Sequence, residues 1–428
     1  QYKWDIGTAT PTSGWENFNS GDTLTYEIEG TYYLHIKAVD KSGNITNVVS
    51  NAFIIPKAIY SQDKGVNVPQ LTIGMTPIKW DGNDWINTTV DDDDWYSYTE
   101  TDKKWANAKT QDGSIWVWLP RYAYQIESNY HMTSAGVVNI KFLRNSTDKA
   151  SDNSVVDSVP NYSGSSQTNY IKHPAFKFGN TELPGIWVAK FEMSGTITSL
   201  DSKPGIASLR SKSISDMFTS SRNMEINNKY GWALSSGLTS DGTFTSDTNN
   251  LDTHMIKNIE WGAIAYLSQS KYGKNAKITV NTSSSYYTGG GAGVAYKSNI
   301  TQSTTGNVYG IYDISGGSYE CVMANLDNMP GNSGLTVSSI NDKYIDIYTS
   351  YSNEKKGNAV YETSSSSSGS NAWHSNQSLI FYSSYPWLVR GGFYNQSNEA
   401  GAFSFYYAAG SSYPHNAFRV TLIVGNGL

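Results

Sequence analysis

The sequence predicts an α+β domain with two helices, irregular strands and very long loops, preceded by a small all-β unit. Three observations point there. Short apolar runs with a period of two recur along the chain and read as strands. Only two stretches carry apolar residues at helical spacing. Between these elements lie long Tyr-, Ser-, Asn- and Gly-rich segments whose many aromatics argue against disorder. With 428 residues, two or three domains are expected. Hydrophobic content of 38% with only 16% charged residues allows sizeable cores and suggests a β- and loop-rich extracellular protein.

Taken in order, residues 1–56 form the all-β unit. In "GTYYLHIKAV" the alternation sets Leu34, Ile36 and Ala38 on one face and Tyr33, His35 and Lys37 on the other. The cluster from Asp40 to Asn44 closes a hairpin with the following strand. Residues 57–68 read as a linker, and 69–428 as the larger domain. The run Asp91–Asp94 is read as a solvated acidic turn. A calcium loop interleaves carboxylates with glycine and carbonyl ligands, whereas four adjacent Asp side chains diverge. "SIWVWLPRYAYQI" from Ser114 is a strand, with Pro120 marking an edge or bulge. "VVNIKFLR" from Val137 pairs with it, and residues 145–170 form a polar loop. "IWVAKFEMSG" from Ile186 is a further strand.

The first helix is "SISDMFTSSRNMEI", with Ile214, Met217, Phe218 and Met224 near one face. The second is "NIEWGAIAYLSQSKYG", with Trp261, Ile264 and Ala265 inward. Asn258 is expected as its N-cap, Glu260 near its positive end and Gly273 at C′. Ser364–Ser368 reads as a flexible surface loop. The chain closes with "WLVRGG", "GAFSFYY" and "FRVTLIV".

Composition also excludes function classes. A net charge of −6 without a Lys/Arg cluster disfavours nucleic acid and anionic membranes as partners. Cys321 is the only cysteine, which rules out internal disulfides and multi-cysteine zinc sites. No apolar run is long enough to span a bilayer, so no membrane insertion is expected. The chain begins at Gln1, and we expect a piece of a longer polypeptide with its targeting signals elsewhere. His35, His131, His173, His254, His374 and His415 are scattered, and no hydrolase, zincin, phosphate-loop or dinucleotide fingerprint is present. No catalytic residue, metal site or cofactor is expected.

Several segments carry a resemblance. "GTYYLHIKAVDKSGN" resembles the last strands of bacterial immunoglobulin-like modules, which are usually spacers; the Tyr pair offers a site for a tyrosine corner. "NIEWGAIAYLSQSKYG", "GNVYGIYDISGGSYECVMAN" and the closing "WLVRGGFY…AFRVTLIV" resemble, in order and spacing, three segments of the formylglycine-generating-enzyme subgroup of C-type-lectin folds. The region from 69 to 200 is similar to phage and Firmicutes surface proteins and to the variable proteins of diversity-generating retroelements. The resemblance implies an α+β C-type-lectin-like fold with long loops and two helices, behind a small immunoglobulin-like domain. Trp261, Arg390, Gly391, Gly392, Phe418 and Arg419 would be its scaffold. Cys321 stands where the family motif carries Trp, and the late cysteine pair of the enzymes is missing, so catalysis is not expected. Asp313 and Glu320 look like structural groups that bond loop backbone.

In the variable proteins, the residues between the closing strands, here about 387–418, are rewritten at adenines of a template copy. Lys, Gln, Glu, Met and Trp are unreachable from AAY codons, so Gln396, Glu399 and Trp387 would be framework. Phe393, Asn395, Ser397, Ser404, Tyr406, Tyr407, Ser411, Tyr413, His415 and Asn416 are the ligand-binding candidates. The residue types agree independently with a binding surface. Tyr gives rigid amphipathic contact area, while Ser, Gly and Asn give adaptable hydrogen bonds. In "GAFSFYY" the alternation sets Phe403, Phe405 and Tyr407 on one face and Ser404 and Tyr406 on the other, with the two Phe residues expected in the core.

The expected function is therefore a non-enzymatic, hypervariable binder of a protein or glycan on a target cell surface, extracellular and displayed on a phage tail or bacterial surface. A fixed-specificity lectin or adhesin of the same fold, binding sugar through Trp and Tyr with or without calcium, is the alternative, and an oxidase related to the formylglycine-generating enzymes is a more distant one.

Overall fold

The structure is a computed structural model that describes residues 1–22, 30–51, 53–55, 59–232, 235–247, 251–350 and 355–425. The chain divides into two compact units, Gln1–Ile59 and Tyr60–Leu428. The fold is mostly β-sheet, and two α-helices are present among the described residues. None of these helices is long and apolar enough to cross a membrane.

In the first unit Gly30–Val39 is the central strand. It pairs antiparallel with Tyr2–Asp5, Ile45–Val49 and Phe53–Ile55. The Asp40 carboxylate closes the expected hairpin by accepting from the Ser42 and Asn44 backbone N–H groups. Neither set of alternating residues is buried as a whole. His35 is buried and bonds through Nε2 to the Gly7 carbonyl, whereas Ala38 is exposed and Leu34 and Ile36 are half-buried. A neighbouring loop that supplies an acceptor outweighs simple alternation.

The expected linker is not one along its later part. Tyr60–Ser61 and Val66–Asn67 form a small hairpin of the second unit. Val66 joins its core, and the Asn67 side chain bonds the Pro184 and Asn145 carbonyls. A buried amide with satisfied partners ties this stretch down. Residues 56–58 lie outside the described ones.

The second unit is built on two sheets. The seven-stranded, antiparallel sheet runs in the order Leu251–Met255, Val420–Val424, Gly185–Ala189, Ile115–Pro120, Asn107–Lys109, Thr76–Trp80, Trp85–Asn87. The five-stranded, mixed sheet places Asp346–Tyr348, Tyr319–Leu326, Trp387–Gly391 and Gly401–Ala408 side by side, with Asn416–Phe418 parallel to the start of Tyr319–Leu326. The expected partner of Tyr122–Ile126 is correct: Val138–Phe142 pairs with it.

Two segments read as single strands are broken. Ile115–Val117 lies between two neighbours, whereas Pro120 ends the strand paired on one side only, with Gly185, and the chain turns at Arg121 into another sheet. "FRVTLIV" breaks at Arg419, with Asn416–Phe418 in one sheet and Val420–Val424 in the other. Each break carries a buried arginine. Arg121 meets Glu182 and Asp148 at 2.7 and 3.1 Å.

The first helix, α1 (Ile214–Arg222), starts at Ser213 with a capping box to Asp216. Ile214, Met217 and Phe218 face inward, while Met224 is buried on the following 3-10 turn. The second, α2 (Asn258–Gln269), is buried on almost every side, as its apolar composition demands. Its N-cap is Lys257, not Asn258, and the Lys257 N–H donates to Glu260. Asn258 instead uses its amide inside the core, on the Tyr348 hydroxyl and on Arg390. The helix ends at Ser270 in an extended conformation, so Gly273 is not its C′ residue.

Arg419 joins the sheets. Its guanidinium forks onto Glu320 at 2.9 and 2.5 Å and donates to the Ala189 and Tyr312 carbonyls. Both side chains are fully buried. Breaking such a pair leaves a charge uncompensated, at a cost of about 3–5 kcal/mol, whereas apolar replacement of both partners recovers much of it. Arg419→Met is therefore expected to lower the urea midpoint by the equivalent of about 3–5 kcal/mol. Arg419→Met with Glu320→Leu is expected to lose less than the single variant, a coupling that a double-mutant cycle measures directly.

Candidate ligand-binding cleft

The closing segment is shaped by Arg390. Trp387–Gly391 pairs antiparallel with Gly401–Ala408, setting Leu388 opposite Tyr407, Val389 opposite Tyr406 and Arg390 opposite Phe405. Gly391 then pairs with Gly401, so extra residues bulge from the second strand between the two registers. Arg390 fills the space below. It donates to the carbonyls of Ser404, Asn358, Ala359 and Ala402 and to Asn258 Oδ1, at 2.6–3.2 Å. Burial lowers its pKa to about 9. Trp261 donates to the Ala402 carbonyl at 2.8 Å. Gly392 has φ +72°, and a Cβ there would lie 2.6 Å from the Ala400 Cα, so both the turn and the close approach require glycine. Phe418 is fully buried. Gln396, Glu399 and Trp387 are likewise engaged internally, with Phe393 N, the Ser370 hydroxyl and the Pro330 carbonyl.

Above this frame is a cleft of about 400 Å³ lined by Tyr319, Tyr385, Val389, Phe393, Tyr406, Tyr407, Ala408, Ala409, Gly410, Ser411, Tyr413 and Asn416. Six of the ten candidate residues meet here: Phe393, Tyr406, Tyr407, Ser411, Tyr413 and Asn416. Tyr413 is exposed at the rim, Tyr406 and Tyr407 are half-buried, and Asn416 lies at the buried floor. Asn395 and Ser397 are exposed on the turn outside the lining. His415 is half-buried beneath it, stacked between Phe393 and Tyr286. Ser404 corrects the alternation. The bulge turns it inward, where it is fully buried and its hydroxyl has no hydrogen-bond partner. Phe403 and Phe405 are buried as expected.

Sequence reasoning missed Tyr319 and Tyr385. Tyr319 comes from the strand after the Gly316–Gly317 turn, and its N–H donates to the His415 carbonyl. The rings form a continuous series of contacts. Centroid distances are 5.0 Å for Phe393–Tyr319, 5.8 Å for Tyr319–Tyr406, 4.3 Å for Tyr406–Tyr407 and 5.1 Å for Tyr407–Tyr385. Burial and the neighbouring Tyr407 push the Tyr406 phenol up to about 12, so at neutral pH it is a protonated donor. No Asp, Glu, Lys, Arg or His lines the cleft.

The remaining candidates for chemistry are engaged elsewhere. Burial raises the Cys321 thiol to about 12, far from the thiolate range of a nucleophile. Asp92 pairs with Lys79 at 2.7 Å within the acidic run. Among the described residues, no group of three or more His, Cys, Asp or Glu side chains is placed to hold a metal ion. His254 is buried between Asp252 and Glu260. A second opening of about 560 Å³ has a mixed-charge lining that includes Lys172, Lys177, Lys355, Glu182 and Asp346, and none of the candidate residues. No family model matches the chain, and no curated protein matches it significantly.

Beneath the Gly316–Gly317 turn, three carboxylates share one guanidinium. Asp313 accepts from Gly289 N–H and the Asn281 amide, Glu192 accepts from Ser318 N–H, and Glu320 holds Arg419. Burial, then the charges of Asp313 and Glu320, drive the Glu192 carboxyl well above its usual range. A carboxyl raised on folding stabilises fully below its unfolded pKa, and that contribution is lost as pH rises through the folded value. Glu192→Gln mimics the protonated form. It is expected to melt level with the wild type near pH 4 and above it at pH 8, as thermal denaturation at the two pH values would show.

Proposed function

We propose that the chain is a non-enzymatic ligand-binding protein that captures a protein or glycan on a target cell surface. In this reading the second unit has a C-type-lectin-like fold of the variable-protein kind, and the first is an immunoglobulin-like spacer. Display on a phage tail or bacterial surface fits the composition. One observation carries the proposal: a charge-free, tyrosine-lined cleft sits on a strand pair anchored by a buried arginine. Interface cores are rich in Tyr and poor in charge. Tyr also loses little conformational entropy on binding, and a frame already ordered lowers the remaining cost. The exposed Asn395 and Ser397, on the turn beside the cleft, would extend the contact.

The division of roles supports diversification of the segment. Residues unreachable from AAY codons are engaged within the frame, whereas the reachable Tyr406, Tyr407 and Tyr413 face the cleft. A near-copy of the coding DNA, differing at adenines and lying beside a reverse-transcriptase gene, is the expected genomic signature. Without it the segment is fixed in sequence and only the binding role remains.

Binding of the purified chain to target cells tests the role itself. Tyr406→Ala and Tyr413→Ala are each expected to weaken binding about tenfold, the equivalent of about 1.4 kcal/mol. Tyr162→Ala, at an exposed site outside the cleft, should leave it unchanged. Equal binding by all three variants overturns the proposal.

A further inference from the structure

The cleft's lining narrows the ligand further, on the premise that the cleft is the binding site. Its chemistry is one-sided. The wall is a series of aromatic rings whose successive centroids lie 4.3–5.8 Å apart. Its polar groups are chiefly phenol hydroxyls. Those of Tyr406 and Tyr407 interact with each other, and the Tyr382 hydroxyl, outside the lining, interacts with that of Tyr407. Two bonds within a row of three hydroxyls use two of the three protons, which leaves a donor free to turn outward.

The phenol oxygens and the Ser411 hydroxyl also accept, and all of these acceptors are neutral. No carboxylate lines the cleft, and the one amide, Asn416, is nearly buried with its side chain against Cys321. A sugar presents hydroxyls in every direction, and the lining meets them only with neutral hydroxyls and one nearly buried amide. An acidic or basic ligand finds no opposite charge in the lining. The ligand that fits is uncharged, with an apolar face for the rings and acceptors for the phenol donors.

A proline-rich chain has those properties. Proline has no N–H, its carbonyls point outward along a polyproline helix, and its ring offers an apolar face to an aromatic wall. Two successive ring spacings in the cleft cover about one turn of such a helix, roughly 9 Å. The helix is also preformed, so little ordering opposes docking on rings that already brace one another. We infer that the cleft takes a proline-rich segment of a protein partner in the polyproline conformation.

Fluorescence anisotropy with labelled decaproline and the full chain tests this. A Gly-Ser peptide of equal length and a neutral glucan hexasaccharide serve as competitors. Decaproline is expected to bind, and neither competitor to displace it. Tyr406→Ala should weaken binding about tenfold. Tyr406→Phe keeps the ring and removes the donor, and should weaken binding by a smaller factor. Tyr385→Ala, at the exposed rim, gives a second variant should the half-buried Tyr406 site not tolerate Ala, and should also weaken binding. Absence of decaproline binding, or equal binding by Tyr406→Ala and Tyr385→Ala, overturns the inference. Glucan binding that depends on these Tyr residues, without decaproline binding, also overturns it and leaves the cleft as the ligand site. Loss of target-cell binding in Tyr406→Ala without decaproline binding separates the two conclusions in the same way.

Discussion

The Arg419–Glu320 pair ties the second unit together where both sheets and the closing strands meet. Arg419 stands at the break between Asn416–Phe418 and Val420–Val424, which belong to different sheets. Its fork reaches Glu320 in one sheet and the Ala189 carbonyl at the end of a strand in the other. A charge this deep is tolerable because a carboxylate faces it and four of its five N–H groups find acceptors. The pair also fixes the parallel pairing of Tyr319 with Asn416, which brings two cleft residues side by side from positions far apart in sequence.

Arg390 works differently, because no carboxylate faces it. Four carbonyls and an amide oxygen accept its hydrogen bonds, and burial depresses its pKa accordingly. Those carbonyls come from the bulged strand and from residues 358–359, so the guanidinium replaces the ladder that the register shift interrupts. Such a centre confers geometry more than stability. It keeps the strand pair from sliding, and a slip of one residue would exchange the buried and cleft-facing sides. The tyrosines above it are therefore presented in fixed positions and can dock with little ordering cost.

The contrast between Ser404 and Tyr406 shows how far local pattern carries. Both lie on the face that alternation assigns to solvent, yet only Tyr406 reaches the cleft. The difference is the bulge, which depends on the pairing with Trp387–Gly391 and is invisible in "GAFSFYY" alone. Asn258 is a similar case. Its residue type favours a helix cap, but the core needed an amide between Tyr348 and Arg390. Tyr319 and Tyr385 gave no signal, because their neighbours in space come from distant segments.

What the sequence determined by itself is local and compositional. The apolar spacing specified both helices and the strand-forming runs, and residues 391–416 were plainly rich in tyrosine and free of Lys and Arg. Each depends on side chains within a few residues of one another. Tertiary structure alone decided which sheet each half of a run joined, which serine was buried and which tyrosines shared a cleft. Those outcomes rest on strand pairings and buried arginine contacts between distant residues, such as Trp187 with Leu422, and Arg419 with Ala189 230 positions away. Local periodicity contains no information about such partners.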